Sequence, residues 1–227
     1  MTERPAMIEA KSSTDQVRRV YDLWSRWYGP VSELFERRPK QRGLQRAAIG
    51  PRENVLEVAV GPGRVFRQLV RQAERNNIVC GVDLSRRMLA VTARLLSKQG
   101  YHNYSLQQAD ARRLPFREGA FDVLFNSYML DLIPLADMPV VLAEFYRVLK
   151  PGGRLVLVNA SKRDAERRTC WEWAYQHVPS RWAANLFGGC RPVLTSGAVT
   201  AAGFRNVTRE YLSGMLPSEI VTARKPD

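Results

Sequence analysis

Short apolar runs alternate with stretches of helical periodicity through the middle of the chain. The apolar runs predict five strands, near residues 54–60, 77–83, 104–109, 121–127 and 153–159. Between them, apolar side chains recur at three- and four-residue steps, which predicts helices near 64–75, 85–99 and 137–149. This regular alternation predicts an α/β fold in which helices cover both faces of a parallel sheet.

Both ends of the chain carry further predicted elements. An amphipathic helix is predicted from residue 13 to residue 28, and the Gly29-Pro30 pair is expected to break it before a second helical segment that ends near Ile49. Near the carboxyl end, the pattern predicts a helix pair over 164–187, a short helix over 195–202 and two strands near 204–212 and 216–224.

The first predicted strand ends in a glycine-containing turn, Gly61-Pro62-Gly63, and a helical pattern begins at Arg64. Glycines allow unusual backbone dihedrals and let a small molecule press against the turn, close to the free N–H groups of the helix start. A dinucleotide fingerprint would place a third glycine where Phe66 stands. The turn therefore predicts a cofactor without a pyrophosphate, with a plain strand-to-helix connection as the alternative.

Polar residues follow the ends of the next three strands: Asp83, Asp110 and the pair Asn126-Ser127. The carboxyl ends of parallel strands meet at one edge of a sheet, where a carboxylate can accept hydrogen bonds from two vicinal ribose hydroxyls. Taken singly, Asp83 could be a helix N-cap and Asp110 a turn residue. Together with the glycine turn, these strand ends predict one binding crevice.

Five segments, in the same order along the chain, resemble the class I S-adenosylmethionine-dependent methyltransferases. They are residues 55–63, 81–85, 108–116, 121–127 and 147–158. The resemblance implies a Rossmann-like sheet of seven strands, mostly parallel, that closes with a C-terminal antiparallel hairpin. It also implies a helical arm or lid over residues 1–50, followed by the S-adenosylmethionine-binding domain over residues 51–227.

By the same resemblance, S-adenosyl-L-methionine is the cofactor. The Gly61–Gly63 turn would hold its methionine end, Asp83 its ribose, and Asp110 with the Ala111 backbone its adenine. The complete set of predicted cofactor-binding residues is Glu57, Ala59, Gly61, Gly63, Asp83, Leu84, Asp110, Ala111, Asn126 and Ser127. Ala59 departs from the usual glycine of the family, although the ubiquinone/menaquinone C-methyltransferase branch also uses alanine there.

Methyl transfer from a sulfonium requires positioning and the exclusion of water more than reactive side chains. The candidate catalytic residues are Asp131 and Tyr128, from the loop after the fourth strand, and Tyr21. Asp131 is the carboxylate of that loop that could orient or deprotonate an acceptor, with a solvated cap before Ile133-Pro134 as its alternative.

The amino-terminal helix is expected to act as a lid, because its stripe is more hydrophobic than a free surface helix requires. The stripe consists of Val17, Tyr21, Trp24 and Tyr28. We expect it to pack over the site, leaving Arg18, Arg19 and Arg26 outward, where they could meet an anionic membrane surface.

The charge of the chain bears on its partners. The sequence has 35 Lys+Arg against 22 Asp+Glu, a net charge of +13, which favours nucleic acid, an anionic membrane or an acidic substrate, or reflects an arginine-rich composition alone. No apolar run is long enough to span a bilayer, so we expect a cytoplasmic protein, with peripheral membrane contact left open. The three cysteines are far apart and form no Cys-x-x-Cys pair, which predicts neither a metal site nor a disulfide.

Residues 126–129, Asn-Ser-Tyr-Met, stand where nucleic-acid amino methyltransferases carry an Asn/Asp-Pro-Pro-Tyr/Phe sequence, which argues against nucleic acid as a substrate. The Arg-Asn pair of the quinone branch is replaced by Asp131-Leu132, which weakens a direct transfer of that branch's substrate. The sequence therefore predicts a small hydrophobic or lipid-like acceptor: a phospholipid amine, a quinol, a thiol or a phenol. An RNA methyltransferase and a non-catalytic cofactor-binding protein remain the alternatives.

Overall fold

A computed structural model of the protein describes residues 7–24, 28–165, 169–179 and 189–227. Its strands are β1 (Val55–Val58), β2 (Val79–Asp83), β3 (Tyr104–Gln108), β4 (Phe121–Ser127), β5 (Leu149–Ala160), β6 (Arg205–Leu212) and β7 (Ser218–Arg224). They form a seven-stranded sheet in the order β3-β2-β1-β4-β5-β7-β6. The strands β1 to β5 are parallel, and β7 pairs antiparallel with both β5 and β6. The predicted sheet and its terminal hairpin are confirmed.

The helices of the described residues are α1 (Thr14–Trp24), α2 (Tyr28–Ala47), α3 (Arg64–Gln72), α4 (Arg86–Ser97), α5 (Met138–Val148), α6 (Cys170–His177) and α7 (Ser196–Ala201). They agree with the predicted helices to within a few residues. The second half of the helix pair predicted over 164–187 lies outside the described residues.

The predicted break at Gly29-Pro30 is wrong, because both residues lie inside α2. Pro30 falls in the first turn of the helix, where a missing N–H group costs no helical hydrogen bond. Further along, α2 packs closely on the sheet: a Cβ atom at Gly43 would lie 2.5 Å from Val158 Cγ2 and 3.1 Å from Phe125 Cζ. Tertiary packing therefore maintains α2 through residues that commonly end helices.

Alternating side chains of the strands build a core on each face of the sheet. On one face, Phe66 and Leu69 of α3 pack with Leu44 of α2 and with Val17 of α1. On the other face, the core includes side chains of α5 such as Phe145. The described helices that pack on the two faces leave a cavity at the carboxyl ends of β1, β2 and β4, and the candidate site lies at these ends.

Candidate active site

A cavity lies at the carboxyl ends of β1, β2 and β4, between the strand ends and α1. Of the residues predicted from the sequence, those that line it are Tyr21, Glu57, Ala59, Gly61, Asp83, Leu84, Asp110, Ala111, Ser127 and Tyr128. Gly63, Asn126 and Asp131 do not line it. Arg18, Lys40, Arg64 and Arg112 line it as well, and the sequence analysis assigned none of them to the site.

The two glycines of the turn have different roles. Both take left-handed backbone angles, with φ of 52° at Gly61 and 77° at Gly63. A Cβ at Gly61 would meet no described atom within 4 Å, so this position is open toward a ligand. A Cβ at Gly63 would lie 2.7 Å from the side chain of Thr92, whose hydroxyl donates to the Gly61 carbonyl at 2.8 Å. Gly63 therefore serves the packing of the turn against α4.

Ala59, which stands where the family usually has glycine, also adopts a left-handed conformation, with φ of 63°. This conformation costs a residue with a Cβ about 1–2 kcal/mol. The turn thus carries local strain beside the cavity, as residues at ligand sites often do.

Asp83 ties the glycine turn to the end of β2. The N–H of Gly61 donates to Asp83 Oδ2 and the N–H of Ser85 donates to Asp83 Oδ1, both at 2.8 Å. Each carboxylate oxygen keeps capacity for a further donor such as a ribose hydroxyl. Burial raises the pKa of Asp83 to about 6. Because Ser85, rather than Asp83, caps α4, the N-cap alternative for Asp83 is wrong.

Glu57 presents a buried carboxylate to the cavity. Its side chain is fully enclosed, and its Oε2 atom accepts no hydrogen bond within the described residues. Burial raises the pKa of Glu57 well above its usual value, although the nearby charge of Lys40 lowers it. A buried polar atom without a partner is costly, so this oxygen is suited to a ligand that donates to it.

Asp110 lies at the far side of the cavity, where Arg112 binds it. The Arg112 guanidinium approaches Asp110 Oδ2 to 2.6 Å and Asp137 to 3.1 Å. The hydrogen bond from Arg112 lowers the pKa of Asp110. The Arg112 N–H also donates to Asp110 at 2.9 Å, so Asp110 shapes its own turn as well as lining the cavity with Ala111.

Two predicted site residues lie behind the cavity wall. Asn126 is buried and donates from Nδ2 to the Val58 carbonyl at 2.8 Å, which joins β4 to β1. Asp131 is fully buried and accepts from the Ala160 N–H at 3.1 Å. The solvated-cap alternative for Asp131 is therefore wrong, and its carboxylate, with a pKa raised by burial to about 7, faces β5 instead of the cavity.

Tyr128 lines the cavity in a strained conformation, with φ of 52°. Its hydroxyl lies 2.8 Å from Ser218 Oγ, and Lys40 Nζ lies 5.4 Å from the ring centroid. Burial raises the pKa of Tyr128 well above its usual value, which keeps its hydroxyl protonated and so unable to accept a proton from an acceptor. Its ring is thus a wall of the cavity, with Tyr21 contributed by α1.

The helix α1 covers the cavity through Thr14, Val17, Arg18 and Tyr21. Asp22 anchors it to the start of α4, where the Ser85 hydroxyl donates to the Asp22 carboxylate. The expectation that Arg18 faces outward is wrong, since it lines the cavity, whereas Arg19 is exposed as expected. Arg26 and the side chain of Tyr28 lie outside the described residues.

Comparison with known proteins assigns the family. Residues 55–153 match the family described as a methyltransferase domain. The chain is 31% identical over 174 residues to the ubiquinone/menaquinone biosynthesis C-methyltransferase of Rhizobium rhizogenes, across 66% of this chain and 67% of that protein. The chain belongs to the class I S-adenosylmethionine-dependent methyltransferases.

Two further proteins are similar to the chain, one in sequence and one in fold. The demethylmenaquinone methyltransferase of Lactococcus lactis is 31% identical over 157 residues, across 66% of this chain and 61% of that protein, so the match spans less than two thirds of its length. The Haemonchus contortus phosphoethanolamine N-methyltransferase 2, solved with phosphomonomethylethanolamine and S-adenosylhomocysteine, superposes with a TM-score of 0.66. At 19% identity, over 83% of this chain and 53% of that one, it supports the fold alone.

S-adenosylmethionine, the cofactor of this methyltransferase family, fits the polar atoms of the cavity. The open position above Gly61 and the partnerless oxygen of Glu57 suit the methionine end, whose ammonium group is a donor. Lys40 forms an ion pair with Glu36 at 2.6 Å and lowers the pKa of Glu57, so it is a cation close to the position that the carboxylate of the same zwitterion would take. Asp83 would hold the ribose.

Proposed function

We propose that this methyltransferase transfers a methyl group to a small apolar acceptor, with a quinol or phenol as the first candidate and a phospholipid amine or a thiol as further ones. The wall beyond the cofactor residues carries this proposal, because it is apolar: Val17, Met129, Leu132, Ile133 and Val141 line it. Such a wall suits a ring or an alkyl chain. The names of the quinone-methylating relatives support the first candidate.

The residues of the chain bind, orient and exclude water in this proposal. S-adenosylmethionine supplies the electrophilic methyl group. In-line displacement requires the acceptor to approach the methyl carbon from the side opposite the sulfur that leaves. Asp83 would hold the ribose of the donor and Glu57 its ammonium group, while Val17 and Tyr21 of α1 keep water from the site. Since Asp131 and Tyr128 are poorly placed as bases, we assign catalysis to positioning.

Contact with an anionic membrane surface is the second part of the proposal. Leu23 of α1 and Leu34 of α2 are each 75% exposed. Exposed arginines share their helix faces at helical spacing: Arg19 near Leu23, and Arg37 and Arg38 near Leu34. Leucines flanked by arginines suit a bilayer with acidic headgroups, in which a lipid-like acceptor would dissolve. None of the described helices is long and apolar enough to cross a membrane.

A screen of acceptors tests the reaction. The purified chain is incubated with S-adenosylmethionine and demethylmenaquinol, phosphatidylethanolamine, simple phenols or thiols, and S-adenosylhomocysteine and methylated product are measured by mass spectrometry. We expect product with the quinol or the phenols, above a control without acceptor. Product with phosphatidylethanolamine alone would make the quinol assignment wrong. Cofactor binding with no product from any acceptor would favour the non-catalytic alternative.

Competition between RNA and vesicles tests the membrane part against the RNA alternative. We expect the chain to sediment with phosphatidylglycerol vesicles in the presence of excess RNA. Replacing Arg37 and Arg38 by Glu should reduce sedimentation, whereas the same change at Arg71 and Arg75, exposed around the distal end of α3, should not. Displacement from vesicles by RNA would favour the alternative.

A further inference from the structure

Arg191 is a fully buried arginine near the carboxyl end of the chain. Its Nε atom donates to the Ile8 carbonyl at 2.7 Å, Nη1 to the Asp131 carbonyl at 2.8 Å, and Nη2 to the Ile133 carbonyl at 2.6 Å. Within the described residues, all hydrogen bonds from its side chain go to main-chain oxygens. A buried charge is costly unless hydrogen bonds compensate it, and these three bonds compensate the guanidinium of Arg191. The cost suggests that the positions of its three partners matter.

Two of these carbonyls belong to the acceptor wall. The loop from Asp131 to Ile133 follows β4, and its Leu132 and Ile133 side chains line the cavity. The Arg191 N–H adds a bond to the Asp131 carbonyl at 3.2 Å, and the Asp131 carboxylate accepts from Ala160. The wall is therefore held from behind by Arg191 and by β5.

The third carbonyl belongs to the strap, residues 7–13, which precedes α1. Other hydrogen bonds also hold the strap. Glu9 accepts from the Leu135 N–H at 3.0 Å, the Lys11 N–H donates to the Tyr175 hydroxyl at 3.1 Å, and Lys11 Nζ donates to the Gln176 and Val178 carbonyls at 2.6 Å. One guanidinium thus joins the wall to the segment that brings α1 over the cavity.

The requirement for arginine follows from this arrangement. The planar guanidinium presents donors in fixed directions, so it can reach three carbonyls on two segments at once. A lysine keeps the charge but has a single nitrogen on a flexible stem. None of the hydrogen bonds from Arg191 reaches the glycine turn or Asp83, so the acceptor wall can be disturbed separately from the cofactor site.

We propose that Arg191 is a positioning residue for the acceptor: it fixes the wall at Leu132 and Ile133 and holds the strap that sets α1. The proposal rests on the proposed function in taking the acceptor to be apolar. If it is right, a change that weakens the hydrogen bonds of Arg191 lowers the affinity for an acceptor-like molecule but leaves the affinity for S-adenosylhomocysteine unchanged.

The test compares Arg191→Lys with the unchanged chain. S-adenosylhomocysteine affinity is measured by calorimetry, and 1-naphthol, a bicyclic phenol, is titrated by fluorescence in its presence. We expect the dissociation constant of 1-naphthol to rise at least tenfold, and that of S-adenosylhomocysteine to change less than twofold. The control is Arg209→Lys, which alters a comparable set of arginine contacts at Glu219 and Lys162, neither of which lines the cavity, and should leave both constants unchanged.

A milder pair of changes tests the strap alone. Replacing Glu9 by Ala and Lys11 by Met removes the three hydrogen bonds that these side chains make to Leu135, Gln176 and Val178 but leaves Arg191 in place, so we expect the dissociation constant of 1-naphthol to rise about threefold. Equal loss of both ligands in Arg191→Lys would show general support of the fold and overturn the proposal. Unchanged 1-naphthol affinity would overturn it as well.

Amide hydrogen exchange tests the role of Arg191 independently of the proposed acceptor class. If the unchanged chain binds S-adenosylhomocysteine but no 1-naphthol, the proposed acceptor class is wrong. Amide exchange in the complex with S-adenosylhomocysteine then decides the role of Arg191. Exchange at residues 131–135 and 7–13 that is at least tenfold faster in Arg191→Lys, with residues 57–66 unchanged, supports positioning. Equal exchange in both proteins overturns it.

Discussion

The two halves of the cavity are built from contacts of very different sequence separation. In the cofactor half, Gly61 bonds to Asp83 across 22 positions, and both lie at ends of neighbouring strands. In the acceptor half, Arg191 bonds to Ile8 across 183 positions. The first half depends on the edge of a sheet, and the second on segments that meet only when the whole chain has folded.

This difference implies that the halves can be disturbed separately. The cofactor half is formed by strand ends and a turn that pack into the core on both faces of the sheet. The acceptor half includes the strap, which docks through a few hydrogen bonds, and α1, which also packs on the core through Val17. Changes in the first should alter cofactor affinity, and changes in the second should alter methyl transfer.

The largest effect is expected from removal of residues 1–24. Loss of α1 exposes the cavity to water and removes Val17 and Tyr21, so methyl transfer to the best acceptor of the screen should fall to background. The sheet remains, and S-adenosylhomocysteine should still bind by calorimetry, with affinity reduced about tenfold or less. Removal of residues 1–6 alone is the control and should leave turnover intact. Turnover by the longer truncation at the full rate would show that α1 is not a lid.

The corresponding change in the cofactor half is Asp83→Ala. If Asp83 holds the ribose, the change removes two charge-assisted hydrogen bonds, each worth about 1.5–3 kcal/mol, so cofactor affinity should fall at least about a hundredfold. Calorimetry with S-adenosylhomocysteine measures this loss. Asp122→Asn, at the opposite end of β4, serves as the control and should bind normally. An unchanged constant in Asp83→Ala would mean that the ribose is held elsewhere.

The same comparison explains what sequence could predict. The strand ends, the glycine turn and Asp83 could be predicted from local sequence patterns. Parallel strands bring their carboxyl ends together at one edge of the sheet, independently of how the other segments dock. Arg18, Lys40 and Arg191 gave no such signal, since their positions depend on how α1, α2 and the carboxyl-terminal part dock. The direction of the Asp131 side chain could not be predicted for the same reason, because a position next to a strand end does not determine which way a loop side chain points.

A smaller effect is expected from pH, which should act on the cofactor half through Asp83. Burial raises the pKa of Asp83 from its usual 3.8 to about 6, and ribose hydroxyls donate to the carboxylate form. Affinity for S-adenosylhomocysteine should therefore be full above pH 7 and fall as the pH drops through 6, by about tenfold per unit below it. Titrations from pH 5 to 8 measure this. Asp83→Asn should lose the fall centred near pH 6, so that any remaining pH dependence comes from Glu57, whose pKa is also raised by burial. A flat profile in the unchanged chain would contradict the assignment.

The smallest expected effect is a gain in stability at Ala59. Glycine adopts the left-handed conformation of this residue without strain, so Ala59→Gly should raise the free energy of unfolding by about 1 kcal/mol, measured in urea. Ala73→Gly is the control, because Ala73 has an ordinary φ of −71° and should lose about 0.5–1 kcal/mol. A loss of stability in both variants would show that Ala59 is not strained.

The anchoring of α1 also has a kinetic consequence. Asp22 fixes the helix at Ser85, two residues from Asp83, while the strap fixes its other end to the acceptor wall through Arg191. One helix therefore covers both parts of the cavity. If α1 acts as a lid, the spent cofactor and the methylated product leave past the same helix. The rate of helix opening would then set an upper limit on the turnover number, and we expect the turnover number to fall as solvent viscosity rises.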